Sequence, residues 1–545
     1  MMNLNKTKRF LLLITPTVLS IPIFAQAQQS PKGLDEHIND IFMPVAVVWE
    51  SLVFTSITIG GYPIPIVLIL LIGGALFFTF YFRFSNIRKM PLAIQIVRGK
   101  YDHLEKKAER EGPPAAHELE GDIVDTIKNE SLNGEINHFQ ALTTAVSGTV
   151  GLGNIAMVAV AISIGGPGAT FWMIVAGLLG VSTKMVECTL GVKYRDINEK
   201  GQVFGGPMYY LSKGLKERGF TILGKVLSVV FAIMCVGASF GGGNAFQSNQ
   251  AAAQIINRFD LQGDSSGTLI GCVIALLTGI VIIGGIKRIA KVTEKVVPFM
   301  ALFYVGAALF ILMANYQYVD DAFRLIFQEA FSPRAGITGG IVGVIIQGFR
   351  RAAFSNEAGA GSAAIAHAAV NTKFPASEGL VALLEPLIDT VIICTMTALV
   401  IIIFNMETTF QYGDVLNNEA LITATGERIG GVNLTSMAFD HSIPGFSYLL
   451  AIAVVLFAFS TILSWSYYGL QAWKFLFGRS RIMDMTFKVI FLLFTILGSA
   501  VTLDAVIKFS NAMILALVFP NMIGLFFLFG MVGKEMRVYE RALKK

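Results

Sequence analysis

The residues of this chain best suited to chemistry are amides and hydroxyls set inside apolar runs. The stretch Ser147-Gly148-Thr149-Val150-Gly151-Leu152-Gly153-Asn154 interrupts an apolar segment from Phe139 to Ile164. Glycine costs about 1 kcal/mol relative to alanine in a helix interior, so this composition argues for a broken helix. At membrane depth, non-helical backbone is tolerated only where it is buried in protein or lines a cavity. A break there presents N–H groups at the positive end of a half-helix, suited to a carboxylate, and carbonyl oxygens suited to a hard cation. On this reading the N–H groups around Thr149, Gly151 and Gly153 meet a carboxylate, and the carbonyls of Ser147 and Val150 face Na⁺. A small-residue packing face accounts for Gly151 and Gly153 but not for Asn154 beside them.

Three further sets stand in corresponding surroundings. Phe457-Ala458-Phe459-Ser460-Thr461 puts two adjacent hydroxyls in a run of Val, Leu and Phe. Ser460, Thr461 and the Phe457 carbonyl can complete an oxygen cage with Ser147 and Val150; the competing reading is hydroxyls bonded back to the preceding turn. Asn244 and Gln247 follow three glycines, lie three residues apart and are expected on one helix face. Their amides can serve a zwitterion or simply join helices, whereas Asn249 and Gln250 read as helix-joining groups. The stretch from Gln347 to Ser362 carries Phe349, Arg350, Arg351, Phe354 and Glu357. Ionisable groups inside a span cost about 2.5–3.5 kcal/mol on insertion scales and are functional candidates by default. Two readings compete: an arginine clamp on a carboxylate, and an internal Arg–Glu pair that holds a break and gates. Phe349 and Phe354 are read as pocket walls or a hydrophobic gate. Asp389, one turn after Glu385, can bind a cation, carry a proton or neutralise Arg351. Lys184 and Glu187, at i and i+3, are expected to pair. Trp465 is either pocket lining or packing.

The elements that must position these groups are membrane helices. The 545-residue chain is 54% hydrophobic and only 14% charged, against roughly 25% charged in soluble domains. Its formal charge of +5 is spread as a positive-inside pattern and gives no nucleic-acid patch. The four cysteines fall in apolar runs, which implies neither disulfides nor a metal cluster. Lys6, Lys8 and Arg9, an apolar stretch from Phe10 to Phe24 and Ala25-Gln26-Ala27 predict a signal peptide over 1–27. A periplasmic segment (28–61), a first span (62–82) and a cytoplasmic loop (83–138) are expected next. Ten further spans are expected at 139–164, 169–192, 226–256, 267–286, 296–314, 337–366, 379–404, 443–470, 486–502 and 505–529, before a cytoplasmic tail (530–545). The basic loops alternate with these spans and put the C-terminus in the cytoplasm of a bacterial inner membrane. Ten spans split into 139–314 and 337–529, two halves of opposite topology, each opening with an interrupted helix. That is the pattern of an inverted repeat with a transport site between its halves.

Gly165-Gly166-Pro167-Gly168-Ala169-Thr170-Phe171-Trp172-Met173 with Gly180 resembles the signature of the sodium:alanine symporter family; Ile174 departs from it. Phe354-Ser355-Asn356-Glu357-Ala358-Gly359 and Ile365-Ala366-His367-Ala368-Ala369 are similar to that family too, and the resemblance covers about 62–535. It implies an all-α polytopic membrane protein with a leucine-transporter-like 5+5 inverted repeat, a broken first helix in each half and one extra N-terminal transmembrane helix. It also implies a sodium site between the first broken helix and the 443–470 span, and it favours the internal Arg–Glu pair over the arginine clamp. The expected activity is Na⁺-coupled symport of small neutral amino acids, alanine or glycine first, with Na⁺ as coupling ion and no cofactor. A single copy in the bilayer suffices for this. The alternatives are H⁺ coupling through Asp389 or Glu385, and an amino-acid channel. No H-E-x-x-H or G-x-S-x-G pattern supports an enzyme.

Overall fold

Hydropathy dictates the architecture. Among the described residues, seven helices are long and apolar enough to cross a membrane, and a bent pair supplies an eighth. The structure is a computed structural model that describes residues 33–104, 134–199, 201–261, 263–334 and 336–544. The expected signal peptide and most of the expected 83–138 loop lie outside the described residues.

In chain order the principal helices are α1 (Leu34–Val53), α2 (Ile66–Tyr81), α3 (His138–Thr149), α4 (Ala156–Gly165) and α5 (Gly168–Lys193). Then come α6 (Thr221–Phe259), α7 (Ser266–Ile282), α8 (Gly285–Ala314), α9 (Gly340–Asn356) and α10 (Ala363–His367). The last are α11 (Pro375–Glu407), α12 (Phe446–Phe477), α13 (Arg481–Ala500) and α14 (Leu503–Leu543). Small antiparallel sheets and amphipathic helices fill the connections, notably the three-stranded sheet of Phe410–Leu416, Glu419–Ile422 and Arg428–Gly430 and the helix Tyr316–Phe331. From Leu34 onward the chain forms one unit.

Eight of the eleven expected spans fall on crossing-length helices with shifted ends; those at 62–82, 267–286 and 337–366 fall on the shorter helices Ile66–Tyr81, Ser266–Ile282 and Gly340–Asn356. Residues 62–65 are a strand paired with Ser56–Ile59, so the first span is helical only from Ile66. The stretch read as a plain periplasmic segment holds α1, tied down by polar caps. Asp35 accepts from the backbone N–H of Gly267 (3.0 Å) and Thr268 (3.3 Å), and Asn39 accepts from that of Thr502 (3.0 Å). These caps serve the orphan N–H groups that begin α7 and α14. At the other end of the chain, α14 runs unbroken through the stretch read as a tail, to Leu543.

Both expected interruptions are present. Asn137 opens α3 with a capping box: its Oδ1 accepts from Gln140 N–H (2.8 Å), and Gln140 Oε1 accepts from Asn137 N–H (3.2 Å). The helix stops at Thr149, a short 3₁₀ turn spans Leu152–Asn154, and α4 leaves bent by 53°. The second helix stops at Asn356. Glu357 (φ 54°), Gly359 (φ 96°) and Gly361 (φ 81°) then take left-handed backbone before α10 begins. Two of those three positions are glycine, which adopts such conformations at no steric cost.

Close helix approach elsewhere depends on missing side chains. At the start of α5, a Cβ on Gly168 would overlap the backbone of Glu329 and Ala330 in the helix Tyr316–Phe331. Trp172 Nε1 donates to the Ala330 carbonyl (3.0 Å) at the same crossing. Gly306 of α8, by contrast, has nothing within 4 Å of an added Cβ. Gly168→Ala is therefore expected to destabilise the protein by about 1–3 kcal/mol, the usual cost of overpacking, while Gly306→Ala is neutral or slightly stabilising. Thermal unfolding of both variants in detergent checks this pair of outcomes.

Candidate functional site

The first break leaves backbone groups that its own helices cannot satisfy, and α12 and α6 supply the partners. Thr461 Oγ1 donates to the Ser147 carbonyl (2.8 Å), Ser464 Oγ to that of Thr144 (2.8 Å) and Trp465 Nε1 to that of Gly148 (3.2 Å). Thr461, Ser464 and Trp465 stand at i, i+3 and i+4 of α12, and so lie on one face. In return Ser147 Oγ donates to the Ser460 carbonyl (2.7 Å). On the amide side, Leu152 N–H donates to Gln247 Oε1 of α6 (2.9 Å) and Gly151 N–H to Asn154 Oδ1 (3.1 Å). A Cβ on Gly151 would sit 2.9 Å from Gln247 Oε1 and closer still to Thr461 Oγ1, so only glycine fits there.

The second break is sealed in the same way by different neighbours. Ala358 N–H donates to Asn356 Oδ1 and Gly359 N–H to Glu187 Oε1 of α5, both at 3.0 Å. Asn521 Nδ2 of α14 donates to the Gly359 carbonyl (2.8 Å) and to Glu187 Oε1 (2.7 Å). Ser362 donates to Glu357 Oε2.

The two breaks meet. Trp465 Nε1, besides reaching Gly148, lies 3.2 Å from Glu357 Oε1 of the second break. Gly153 faces Phe354, whose ring is 3.5 Å from the position of an added Cβ. Asn154 Nδ2 donates to Asp389 Oδ1 (2.7 Å), and Asp389 Oδ2 accepts from Ser355 Oγ (2.9 Å) and Thr390 Oγ1 (2.7 Å). A π-helical turn over Leu387–Cys394 carries Asp389 within α11; such turns recur at functional sites. Ser147, Asn154, Glu357, Asp389, Ser460, Thr461 and Trp465 are each no more than 2% exposed, so the junction is closed to solvent. Two clefts lie away from it, one between the end of α2 and the end of α14 and one lined by Asp35, Gln250 and Glu419.

The structure brings together Ser147, Thr149, Val150, Gly151, Gly153, Gln247, Glu357, Asp389, Phe457, Ser460 and Thr461. Thr149 Oγ1 bonds back to Ala145 and Val146 carbonyls (both 3.3 Å), which leaves its backbone as the group at the break. Ser460 Oγ turns back to the Phe457 carbonyl (3.0 Å), the back-bonded arrangement, while Thr461 alone of the pair crosses to the first broken helix.

Other expected pairings differ. Asn244 does not share the site with Gln247: its Nδ2 donates to the Phe491 carbonyl of α13 (2.6 Å). It lies in a π-helical turn, Gly241–Ala245, whose extra residue shifts the face it presents. Phe349 lies against Trp172 of α5 (ring centroids 6.4 Å apart), and Phe354 takes the position beside the first break. Neither Arg350 nor Arg351 pairs with Glu357. Arg350 bonds Glu50 of α1 (2.7 Å) and lies 4.0 Å over the Phe54 ring. Arg351 is buried with its Nη1 3.2 Å from Met157 Sδ, and among the described residues it has no carboxylate partner, Asp389 included. Lys184 pairs with Glu385 (3.0 Å) rather than Glu187, because Glu187 serves the second break.

Sequence reasoning missed Ser464 and Asn521, and it gave Glu187 to Lys184 rather than to the second break. Their signal was a polar side chain within an apolar run, which does not say which neighbour it serves.

Comparison with known proteins adds the family. The model of the "Sodium:alanine symporter family" matches residues 118–545. The "Sodium/alanine symporter AgcS" of Methanococcus maripaludis is 37% identical over 481 residues, 88% of this chain and 95% of that one. The "Probable sodium/glutamine symporter GlnT" of Bacillus subtilis is 30% identical, covering 88% of each chain. Among solved structures, MhsT in complex with L-phenylalanine aligns at a TM-score of 0.47 and 14% identity, over 73% of this chain and 99% of that one. With a matched model over most of its length and relatives aligned nearly end to end, this multi-pass membrane chain belongs to the sodium:alanine symporter family.

Proposed function

We propose that this protein is a secondary active transporter that carries a small neutral amino acid, alanine or glycine first, into the cell together with Na⁺. The observation that carries the reading is the junction of two broken helices, sealed by side chains of α5, α6, α12 and α14. The names of the relatives, sodium/alanine and probable sodium/glutamine symporters, agree with an amino-acid cargo and a sodium partner. We read the principal helices after α2 as two sets of five, α3/α4 to α8 and α9/α10 to α14, each opening with a broken helix. This order supports a leucine-transporter-like inverted repeat set in a bacterial inner membrane, its C-terminus in the cytoplasm.

The roles follow from the chemistry of the groups. Na⁺ is a hard cation that takes oxygen. The Ser147 and Val150 carbonyls, the Phe457 carbonyl and the Ser460 and Thr461 hydroxyls form its ligand set. In the closed structure the Thr461 hydroxyl donates a hydrogen bond to the Ser147 carbonyl; with Na⁺ bound, the same two oxygens turn to the ion. The N–H groups of Gly151 to Gly153 receive the substrate carboxylate, with Gln247 released from Leu152 to accompany it. Each ligand shifts the conformational equilibrium only by its differential affinity for the two states. Sodium does so by holding α3 to α12, and the amino acid by holding the first break to the second.

The deciding measurement is alanine uptake into proteoliposomes with and without an inward Na⁺ gradient. Uptake must exceed equilibration when the gradient is present and lose that accumulation without it; accumulation driven by a pH gradient alone would replace this reading with H⁺ coupling. Thr461→Ala is expected to raise the Na⁺ concentration for half-maximal uptake by roughly 5- to 100-fold, the equivalent of about 1–3 kcal/mol for one lost oxygen contact. An unchanged Na⁺ dependence in folded protein removes Thr461 from the cage. Trp465→Phe keeps the ring but deletes the N–H shared by Gly148 and Glu357. It is expected to lower the maximal alanine uptake rate with little change in Na⁺ dependence, as measured by initial rates at saturating Na⁺.

A further inference from the structure

The cleft between the end of α2 and the end of α14 has a chemistry that the transport site does not use. Its volume is about 740 Å³, within the roughly 300–1,000 Å³ of small-ligand sites. Arg83, Arg88, Lys89, Arg537 and Lys544 line it against a single carboxylate, Glu540. Glu540 bonds Lys89 (2.7 Å) and so offsets one of these cations. Among the described residues Arg83, Arg88 and Arg537 have no ion-pair partner, so the cleft carries uncompensated positive charge.

Its depth follows from the two helices that frame it. α2 is apolar almost throughout, and α14 is apolar from Met522 to Val532; both turn basic beyond, at Arg83 and Lys534. Edge-to-face rings fix the two helices at one level: Tyr81 and Phe77 meet Phe529 at 4.7 and 5.1 Å between centroids. Aromatic rings at such a level mark a membrane–water boundary. The left-handed residues Arg83 (φ 51°) and Phe84 (φ 57°) turn the chain so that Ser85–Arg88 follows at the same end. Beside the basic cleft, Phe80, Phe84 and Ile87 are exposed apolar groups (63%, 44% and 66%). A soluble anion has no use for such a surface, whereas an acyl chain does.

We propose that this cleft binds the phosphate headgroup of an anionic phospholipid, with the acyl chains against Phe80, Phe84 and Ile87. Basic pockets between membrane helices hold such headgroups, each arginine adding to the attraction. The bound lipid clamps α2, the helix that precedes the two five-helix sets, to α14, the last helix of the second.

The test uses the full chain, purified in detergent, stripped of lipid and titrated with phosphatidylglycerol or phosphatidylcholine, with retained lipid read by native mass spectrometry. Phosphatidylglycerol is expected to be retained about tenfold over phosphatidylcholine. The combined variant Arg83→Gln, Arg88→Gln and Arg537→Gln should lose that preference, while Arg324→Gln, which removes a positive charge elsewhere, should keep it. Glu540→Gln should retain more phosphatidylglycerol than the natural sequence, a gain that misfolding cannot imitate. The proposal is overturned if the triple variant keeps the preference, if Glu540→Gln weakens it, or if inorganic phosphate displaces the lipid at equal concentration. The readout is lipid rather than uptake, so its failure leaves the symport reading untouched.

Discussion

Every structural choice around the centre of this protein answers one constraint: backbone polar groups freed at membrane depth must find partners within the protein. Breaking two helices frees such groups in both. The fold meets the demand with side chains from four other helices, and those side chains are what hold the junction closed. Thr461, Ser464 and Trp465 of α12 serve the first break; Glu187 and Asn521 serve the second. Trp465 is shared between the two, so the breaks cannot separate without its indole N–H losing a partner.

On the proposed reading, the hydrogen bonds that seal the breaks are the ones ligands replace. A carbonyl that accepts from a hydroxyl can instead face a cation, and an N–H that donates to a glutamine can instead donate to a carboxylate. The exchange keeps each group satisfied throughout, which is the condition for moving such a site without a large desolvation cost. Asp389 is held differently. Three donors from three segments converge on it, one from Asn154 beside the first break and one from Ser355 on the second broken helix. It couples the two broken helices to each other.

Charge inside the structure is used for position as much as for pairing. Arg350 reaches α1 through Glu50, which ties the N-terminal helix to the second broken helix. Lys184, Glu385, His367, Glu378 and His138 form a buried chain that links α5, α11, α10 and the start of α3. These links run between segments that are distant in sequence, so each is a decision of the tertiary fold.

The sequence by itself determined the membrane class, the order of the helices and the location of both breaks. Those properties are local: an apolar run of sufficient length crosses, and glycines with an asparagine cannot continue a membrane helix unaided. The pairing of the first broken helix with the 443–470 span came from the family resemblance, since hydroxyls in an apolar run can equally bond back to the preceding turn, as Ser460 does. The partners of the charged and amide residues were decided only in three dimensions. Lys184 and Glu187 satisfy the i,i+3 rule, yet a buried break nearby claims the carboxylate and a glutamate from α11 takes the lysine. Asn244 and Gln247 obey helical spacing until a π-helical turn separates their directions. Spacing along one helix says which residues share a face; it does not say which orphaned group on another helix stands opposite, and burial makes that second fact the stronger.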